Sequence, residues 1–311
     1  MKSLKILVIV FTYGRLEHTK VTLESLSKNI NFQNYPVIIY SDGPKQGHEE
    51  RVELLRNYLR KFKKRFSNVK LIERKKNLGL EKSIIKGISD ILKDKKAIIV
   101  IEDDIKTSPY FLQYMDKLLN KYQGNKNIGC ITGYNTPGKK ILIPGDYKYD
   151  VYFAPRTCSW GWATWSDRWD SIDWKVEDID EFIENKKIQK RFNQGGNDLA
   201  KMLINQAKKN IDTWDVQWCY HNFKNNRYTI YPTISYVENI GMDGSGVHCG
   251  STSGFENKNL NHSEPENLPS DVILDNKILK NFKKAQNLTL IMFIELAYYR
   301  IIEKIKSLIR V

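Results

Sequence analysis

The first hundred residues alternate short apolar runs with stretches of helical periodicity, and this alternation restricts the possible folds. The apolar runs are rich in β-branched residues, as strands covered on both faces are. The predicted strands cover residues 5–12, 36–42, 69–75 and 97–104. Apolar residues at helical spacing predict helices over residues 17–30, 49–62 and 80–92. The order β-α-β-α-β-α-β predicts an α/β fold with a mostly parallel, Rossmann-like sheet flanked by helices.

Polar side chains follow the first, second and fourth predicted strands. Parallel strands end at one edge of a sheet, where ligands usually bind. The residues that this arrangement places along the edge are Thr12, Arg15, Asp42, Glu102, Asp103 and Asp104. Three consecutive acids fit a site for Mg²⁺ or Mn²⁺, because these cations take carboxylate and phosphate oxygens. The alternative is a solvated turn before a helix, since acids favour a helix N-terminus.

The second half of the chain has a different pattern. Residues 156–170 contain four tryptophans, and Trp160, Trp162 and Trp165 predict either a packed layer or a platform for a sugar ring. We expect at least one of the three to border a ligand. Further along the chain, residues 128–134 predict a strand, 214–223 a helix, 228–241 a strand pair and 241–254 a glycine-rich loop.

The predicted organisation is one domain with a C-terminal extension. Residues 1–127 and residues 128–255 are expected to form the two halves of this domain. A polar linker over 256–280 leads to a basic amphipathic helix over 281–311. This helix is suited to the interface of an anionic membrane, and the alternative is that it docks on the domain or pairs two subunits.

Charge and cysteine usage limit the partners and the compartment. Fifty basic and 36 acidic residues give a formal charge of +14, which suits an anionic partner. The four cysteines form no C-x-x-C pair, so a reducing cytosol is the expected location. The apolar N-terminal run is short and no small-residue cleavage site follows it, so it predicts a buried strand rather than a signal peptide. We therefore expect a cytoplasmic protein, at the inner face of the membrane if the C-terminal helix binds lipid.

Four segments together resemble a known family. They are "FTYGRLEHTKVTLESL", "YSDGP", "NLGLEKSIIKGI" and "EDD", a version of the Asp-X-Asp motif. In this order they resemble a glycosyltransferase of the GT-A fold, family 2. The "EDD" and the later "WDVQW" are also similar to N-acetylglucosaminyltransferase I. The resemblance covers residues 4–250, and it implies that residues 1–127 are the nucleotide-binding half and residues 128–255 the acceptor half of the domain.

The resemblance implies roles for individual residues. Asp42 would accept a hydrogen bond from the base, and Asp103 would act on the ribose or on a metal-bound water. Asp104 would bind the metal directly, with His248 closing onto it from the loop. The other residues expected at the nucleotide-sugar are Thr12, Arg15, Asn77, Gly79, Lys82, Glu102, Trp160 and Trp162.

A carboxylate in the second half would serve as catalytic base in an inverting enzyme of this fold. Asp215 is the preferred candidate, because it lies between tryptophans at a helix start. Helix capping is its alternative role. The rival candidates for the base are Asp198, Asp212 and Asp243.

The predicted function is inverting, Mn²⁺- or Mg²⁺-dependent transfer of a sugar from a nucleotide-diphosphate sugar, with a UDP-sugar favoured. The acceptor would be a hydroxyl of a glycan or lipid-linked glycan in surface polysaccharide synthesis. A sugar-phosphate nucleotidyltransferase is the first alternative, although "FTYGRLEHT" lacks the glycine-rich loop expected of one. A basic nucleic-acid-binding protein is the second, although the basic residues form no stripe with interleaved aromatics. We expect no nucleic-acid partner.

Overall fold

The computed structural model describes residues 4–137, 141–243 and 259–287. The predicted metal ligand His248 and residues 288–311 of the predicted C-terminal helix lie outside this part of the chain. The strands are β1 (Leu7–Thr12), β2 (Val37–Ser41), β3 (Val69–Glu73), β4 (Ala97–Glu102), β5 (Ile105–Thr107), β6 (Ile128–Thr132), β7 (Val151–Ala154), β8 (Trp162–Trp165), β9 (Tyr228–Pro232) and β10 (Val237–Asn239). The helices are α1 (Leu16–Ser27), α2 (Glu49–Arg65), α3 (Leu80–Leu92), α4 (Phe111–Tyr122), α5 (Ser166–Trp169), α6 (Ile179–Glu184), α7 (Lys186–Phe192), α8 (Leu199–Ala207), α9 (Asp215–Lys224) and α10 (Asn276–Gln286).

Eight of the described strands form one sheet in the order β3-β2-β1-β4-β8-β6-β9-β7. The pairs β1–β2, β1–β4, β2–β3 and β6–β9 are parallel, whereas β8 is antiparallel to β4 and β6, and β7 is antiparallel to β9. The predicted α/β fold, a mostly parallel sheet flanked by helices, is therefore confirmed.

The alternation of side chains along β1 explains why both faces of this sheet are covered. All six residues of β1 are buried. Val8 and Val10 belong to the core that α1 and α2 share, and Ile9 and Phe11 belong to the core beneath α3. Since successive strand residues point to opposite faces, a continuous apolar run needs helices on both sides.

Two predictions for the second half were incomplete. The tryptophan-rich segment contains β8, because Gly161 takes a left-handed turn at φ 57° and the chain then runs beside β4. Residues 228–241 do form two strands, but these do not pair with each other. Instead, β10 pairs antiparallel with β5 in a separate two-stranded sheet.

The C-terminal extension packs on the domain over its described part. The Asp150 carboxylate accepts the N–H groups of Glu266 and Asn267 at 2.7 Å each, and the Tyr122 hydroxyl donates to the Pro269 carbonyl at 2.6 Å. These hydrogen bonds hold this part of the predicted linker against the domain.

The helix predicted to begin at residue 281 begins earlier, at Asn276. The side chain of Asp275 caps it by accepting the N–H of Ile278 at 2.9 Å. Ile278 and Phe282 are buried against Tyr152 and Tyr231, which is why the described part of this helix follows the protein surface. Among the described residues, no helix has the length and hydrophobicity to cross a membrane.

Candidate active site

The strand register brings the acidic residues to one crevice. Thr12 at the end of β1 is in register with Ser41 of β2, and Phe11 is in register with Glu102 of β4. Asp42 therefore leaves the sheet beside Thr12 on one side, and the acids 102–104 leave it on the other. The carboxyl ends of β1, β2 and β4 therefore lie side by side, as expected from the sequence, and we call the region beside them the crevice.

Arg15 connects two of the three acids. Its Nη2 atom donates to the carboxylate of Asp103 and, at 2.9 Å, to that of Asp104. Burial alone would lower the pKa of Arg15, but the two carboxylates raise it above its usual value, so the guanidinium stays charged. Its Nη1 atom is buried and has no hydrogen-bond partner among the described residues.

Asp103 is held almost entirely by the chain itself. One carboxylate oxygen accepts from Arg15 and the other from the Tyr13 N–H at 3.1 Å. Its backbone carbonyl accepts from the Thr22 hydroxyl at 2.9 Å, and the residue is 5% exposed. Asp103 thus connects the loop after β1 and helix α1 to the end of β4, and its predicted contact with ribose or a metal-bound water stays a prediction.

The pKa of Glu102 reflects both its burial and the charges around it. Burial, followed by the charges of Asp104 and Asp103, raises its pKa to about 8, while Arg15 opposes the shift. The charge of Asp215 adds a smaller contribution to this rise in the pKa of Glu102. One guanidinium therefore faces several carboxyl groups, and the crevice favours an additional cation.

Asp104 is the predicted metal ligand of this group, and that role stays a prediction. Its backbone carbonyl accepts the Ile240 N–H at 2.9 Å, so the segment after β10 lies against it. A Cβ atom at Gly241 would overlap the Oδ2 atom of Asp104, so a larger residue there would require this carboxylate or the backbone of residue 241 to move. In the described ranges, no group of three or more His, Cys, Asp or Glu residues could hold a metal ion by itself. One carboxylate with excess negative charge fits Mg²⁺ or Mn²⁺, which take their remaining ligands from water and substrate phosphates.

Asp42 organises the other side of the crevice. Its carboxylate accepts the N–H groups of Leu78 and Gly79 at 3.0 and 3.2 Å, and the Asn77 amide donates to the Gly43 carbonyl at 2.8 Å. The Thr12 hydroxyl is buried and donates to the Tyr40 carbonyl at 3.0 Å. These contacts fix the loop before α3 next to the end of β2. Whether Asp42 also accepts from a base stays a prediction.

Lys82 and Trp160 are accessible, but Trp162 is not. Lys82 is exposed on the first turn of α3, and the half-buried Trp160 packs edge-on against Tyr134 beside the end of β6. Trp162 is fully buried in an aromatic cluster with Trp169, Trp214 and Trp218. The prediction that Trp162 contacts the nucleotide-sugar is wrong, because both faces of β8 are covered and this indole is enclosed by the core. Trp165 is 2% exposed and also belongs to the core.

Asp215 is the first residue of α9 and is half-buried, and its carboxylate accepts from the Thr213 hydroxyl. Among its rivals, Asp198 is paired with both terminal nitrogens of Arg156 at 2.7 and 2.9 Å. Asp243 lies 3.1 Å from the His18 ring. Asp212 is exposed and lies beside Glu81, whose pKa is raised by burial and then by the charge of Asp212. Of these candidates, Asp198 is the one whose carboxylate is held by two hydrogen bonds from an arginine.

Residues 7–184 match the model of glycosyl transferase family 2. The chain belongs to this family. The match includes the acid cluster and the loop bound by Asp42, and it confirms the enzyme class predicted from the sequence, a glycosyltransferase. It ends before α9, so Asp215 lies outside the matched region.

This family 2 glycosyltransferase also resembles solved structures, but more weakly than it matches the family model. They include the mannosyltransferase PcManGT from Pyrobaculum calidifontis in complex with GDP-Man and Mn²⁺, at 12% identity over 53% of this chain and 45% of that chain, with a TM-score of 0.39. S. aureus TarS 1-349 has 13% identity over 75% and 59%, with a TM-score of 0.44. GalNAc-T7 with UDP, GalNAc and Mn²⁺ has 11% identity over 74% and 43%, with a TM-score of 0.48.

The chain spans between 43% and 59% of the length of these three structures. At such scores the likeness says nothing about ligands, and the family match carries the assignment. No curated protein matches the sequence.

The crevice of this glycosyltransferase contains residues that the sequence argument missed. Tyr13 acts through its backbone N–H, which no side-chain pattern reveals. Arg74 lies over the Tyr40 ring at 4.6 Å, with its Nη1 atom 3.8 Å from Asp42. A signal for Arg74 was present, because it directly follows β3 and therefore lies at the same sheet edge as the other predicted residues.

Proposed function

We propose that this family 2 glycosyltransferase moves a sugar, with inversion, from a nucleoside-diphosphate sugar to a hydroxyl group of a glycan or lipid-linked glycan. The observation that carries the proposal is the cluster of acids 102–104 at the carboxyl end of β4, where Asp103 and Asp104 pair with Arg15 from the loop after β1. A UDP-sugar is the proposed donor and surface polysaccharide synthesis the proposed context.

The nucleotide would bind between the loop at 77–79 and the end of β1. Asp42 orders this loop through two backbone N–H groups. The guanidinium of Arg15, with one buried nitrogen unpartnered among the described residues, offers donors for a diphosphate oxygen. Arginine suits this role because its planar donors match phosphate geometry.

Inversion requires a base on the face of the sugar opposite the leaving group. Asp215 would accept the proton of the acceptor hydroxyl while that oxygen bonds to the anomeric carbon and the bond from that carbon to the diphosphate breaks. Its half-buried position at the start of α9 supports this role. A divalent cation held by Asp104 would offset the charge of the departing diphosphate.

The test is incubation of the purified protein with a panel of UDP-, GDP- and dTDP-sugars, with Mn²⁺, Mg²⁺ or a chelator. We expect slow release of nucleoside diphosphate from one donor class, dependent on the metal. The anomeric configuration of any transfer product, measured by NMR, should be opposite to that of the donor. If the protein instead consumes added pyrophosphate and converts the donor to nucleoside triphosphate and sugar 1-phosphate, it is a nucleotidyltransferase. A retained configuration would exclude Asp215 as the base of an inverting reaction.

A further inference from the structure

One surface next to the crevice combines a row of lysines with exposed apolar side chains. We call it the α10 face and define it by Lys277, Lys280 and Lys284 on α10, together with Leu142, Ile273 and Leu274. The proposed transfer reaction uses none of these residues.

The lysines line up because the opposite side of the helix is buried. Ile278 and Phe282 of α10 are 1% and 0% exposed against the domain. Lys277, Lys280 and Lys284 are all exposed and follow the spacing i, i+3, i+7, which places them on one stripe of a helix. Docking of α10 therefore presents this basic stripe to solvent in a fixed orientation.

Apolar side chains border the stripe. Leu142 is 65% exposed, and Ile273 and Leu274 are each 40% exposed. The Asn281 amide of α10 donates to the Leu142 carbonyl at 3.0 Å, which places Leu142 against the helix, and Leu274 directly precedes its capping residue. Six large apolar side chains are exposed in the described ranges and three of them are here, so apolar exposure is concentrated at this face.

The nearby acids do not cancel the lysines by pairing with them. The carboxylate of Asp275 accepts the backbone N–H of Ile278, and that of Asp271 accepts the N–H of Val272 and the Asn125 amide. The like charges of the stripe also disfavour a second copy of the chain as its partner, since two such faces would repel.

The C-terminal end of α10 reaches the edge of the sheet that carries the crevice. The Gln286 amide donates to the Thr136 hydroxyl at 3.4 Å, and Thr136 follows the carboxyl end of β6. The Asn287 side chain accepts the Asn197 N–H at 3.0 Å. The sequence continues from there with residues 288–311, which carry Arg300, Lys304, Lys306 and Arg310 among apolar residues.

We propose that the α10 face docks on an anionic lipid bilayer, with the lysines at the headgroups and the three apolar side chains inserted between them. Lysines next to a negatively charged leaflet and apolar residues at its boundary are the two contributions to interfacial binding. Because α10 ends at the crevice edge, docking would bring the crevice close to a membrane-embedded acceptor.

Flotation of the full chain with vesicles of phosphatidylglycerol and phosphatidylcholine, compared with pure phosphatidylcholine, tests the proposal. We expect flotation only with the anionic vesicles, decreasing with salt. The triple variant Lys277→Glu, Lys280→Glu, Lys284→Glu should reduce the bound fraction on the order of 10-fold or more. Replacing Leu142, Ile273 and Leu274 by serine should also reduce it.

The matched control is the triple variant Lys61→Glu, Lys63→Glu, Lys64→Glu on α2. This helix packs beside β3, at the sheet edge opposite β7 and α10, so the same charge change should alter flotation by less than about twofold if the face is specific. An equal loss in the control, or normal flotation of the α10 variant, would overturn the proposal. Thermal unfolding checks that each variant is folded. Flotation is read without turnover, so failure of the proposed reaction would be seen separately.

Discussion

The Arg15 guanidinium lies 2.9 Å from the carboxylate of Asp104, the predicted metal ligand, and donates to Asp103 from the same nitrogen atom. Removing this positive charge leaves the acids uncompensated. We expect Arg15→Gln to bind Mn²⁺ more tightly in the absence of nucleotide, by about 10-fold, and to bind UDP more weakly. Titration of Mn²⁺ by electron paramagnetic resonance and of UDP by calorimetry would show the opposite changes. Weaker Mn²⁺ binding in the variant would contradict this view of Arg15.

Asp104→Ala should remove metal-dependent turnover while leaving the fold intact. Arg15 keeps Asp103 as its partner in this variant, so the thermal midpoint should change only slightly. The comparison variant is Asp94→Ala, which removes an exposed acid after α3 and should keep full activity. Full turnover of Asp104→Ala in the presence of a chelator would exclude the metal role.

Gly241→Ala tests the close contact between β10 and the acid cluster. The added methyl group would overlap the Asp104 carboxylate, so either the carboxylate or the segment after β10 must move. We expect weaker Mn²⁺ binding and a loss of turnover on the order of 10-fold or more. The matched variant Gly124→Ala adds a methyl group in open space. Equal Mn²⁺ affinity in the two variants would show that the contact is unimportant.

Asp215→Asn keeps the shape of the side chain but removes its ability to accept a proton. If Asp215 is the base, turnover should fall on the order of 10²-fold or more while binding of the nucleotide-sugar is unchanged. Asp212→Asn and Asp243→Asn are the comparison variants, since both residues are rival candidates. A comparable loss in Asp243→Asn with normal turnover in Asp215→Asn would transfer the role to Asp243.

His221 gives a prediction for stability against pH. Burial, followed by the charges of Arg227 and Lys224, lowers its pKa from 6.5 to about 4. Its Nε2 atom faces the Ser171 hydroxyl and the Arg227 guanidinium at 3.1 and 3.2 Å, which suits a neutral ring that accepts there. The unfolded chain therefore binds a proton below pH 6.5 that the folded chain binds only near pH 4.

This difference should cost up to about 3 kcal/mol of unfolding free energy as the pH falls from 6.5 to 4. Urea unfolding across this range should show a smaller decrease for His221→Gln than for the unmodified protein. The matched variant His262→Gln changes an exposed histidine and should follow the unmodified protein. If the unfolding free energy of His221→Gln decreased with pH as much as that of the unmodified protein, the lowered pKa of His221 would be contradicted.

The order of strands and helices in the first hundred residues could be predicted from the sequence alone, and so could the sheet edge at which the acids meet. Both follow from local periodicity, because a buried strand and an amphipathic helix have different repeats and parallel strands must end on the same side. Thr12, Asp42 and the acids 102–104 could therefore be assigned to one crevice without coordinates.

The tertiary structure was needed to show which of these side chains already have hydrogen-bond or ion-pair partners, and which tryptophans are accessible. The pairing of Arg15 with Asp103 and Asp104 joins the loop after β1 to the end of β4, almost 90 positions apart in the chain, and no local repeat encodes such a contact. Trp160 and Trp162 are two residues apart, yet one is half-buried at the crevice edge and the other fully buried. Their difference depends on the pairing of β8 with β4, and α10 likewise docks because Tyr152 and Tyr231 of distant strands provide its surface. Long-range contacts of this kind are set by the packing of the whole domain, and not by the residues on either side of each position.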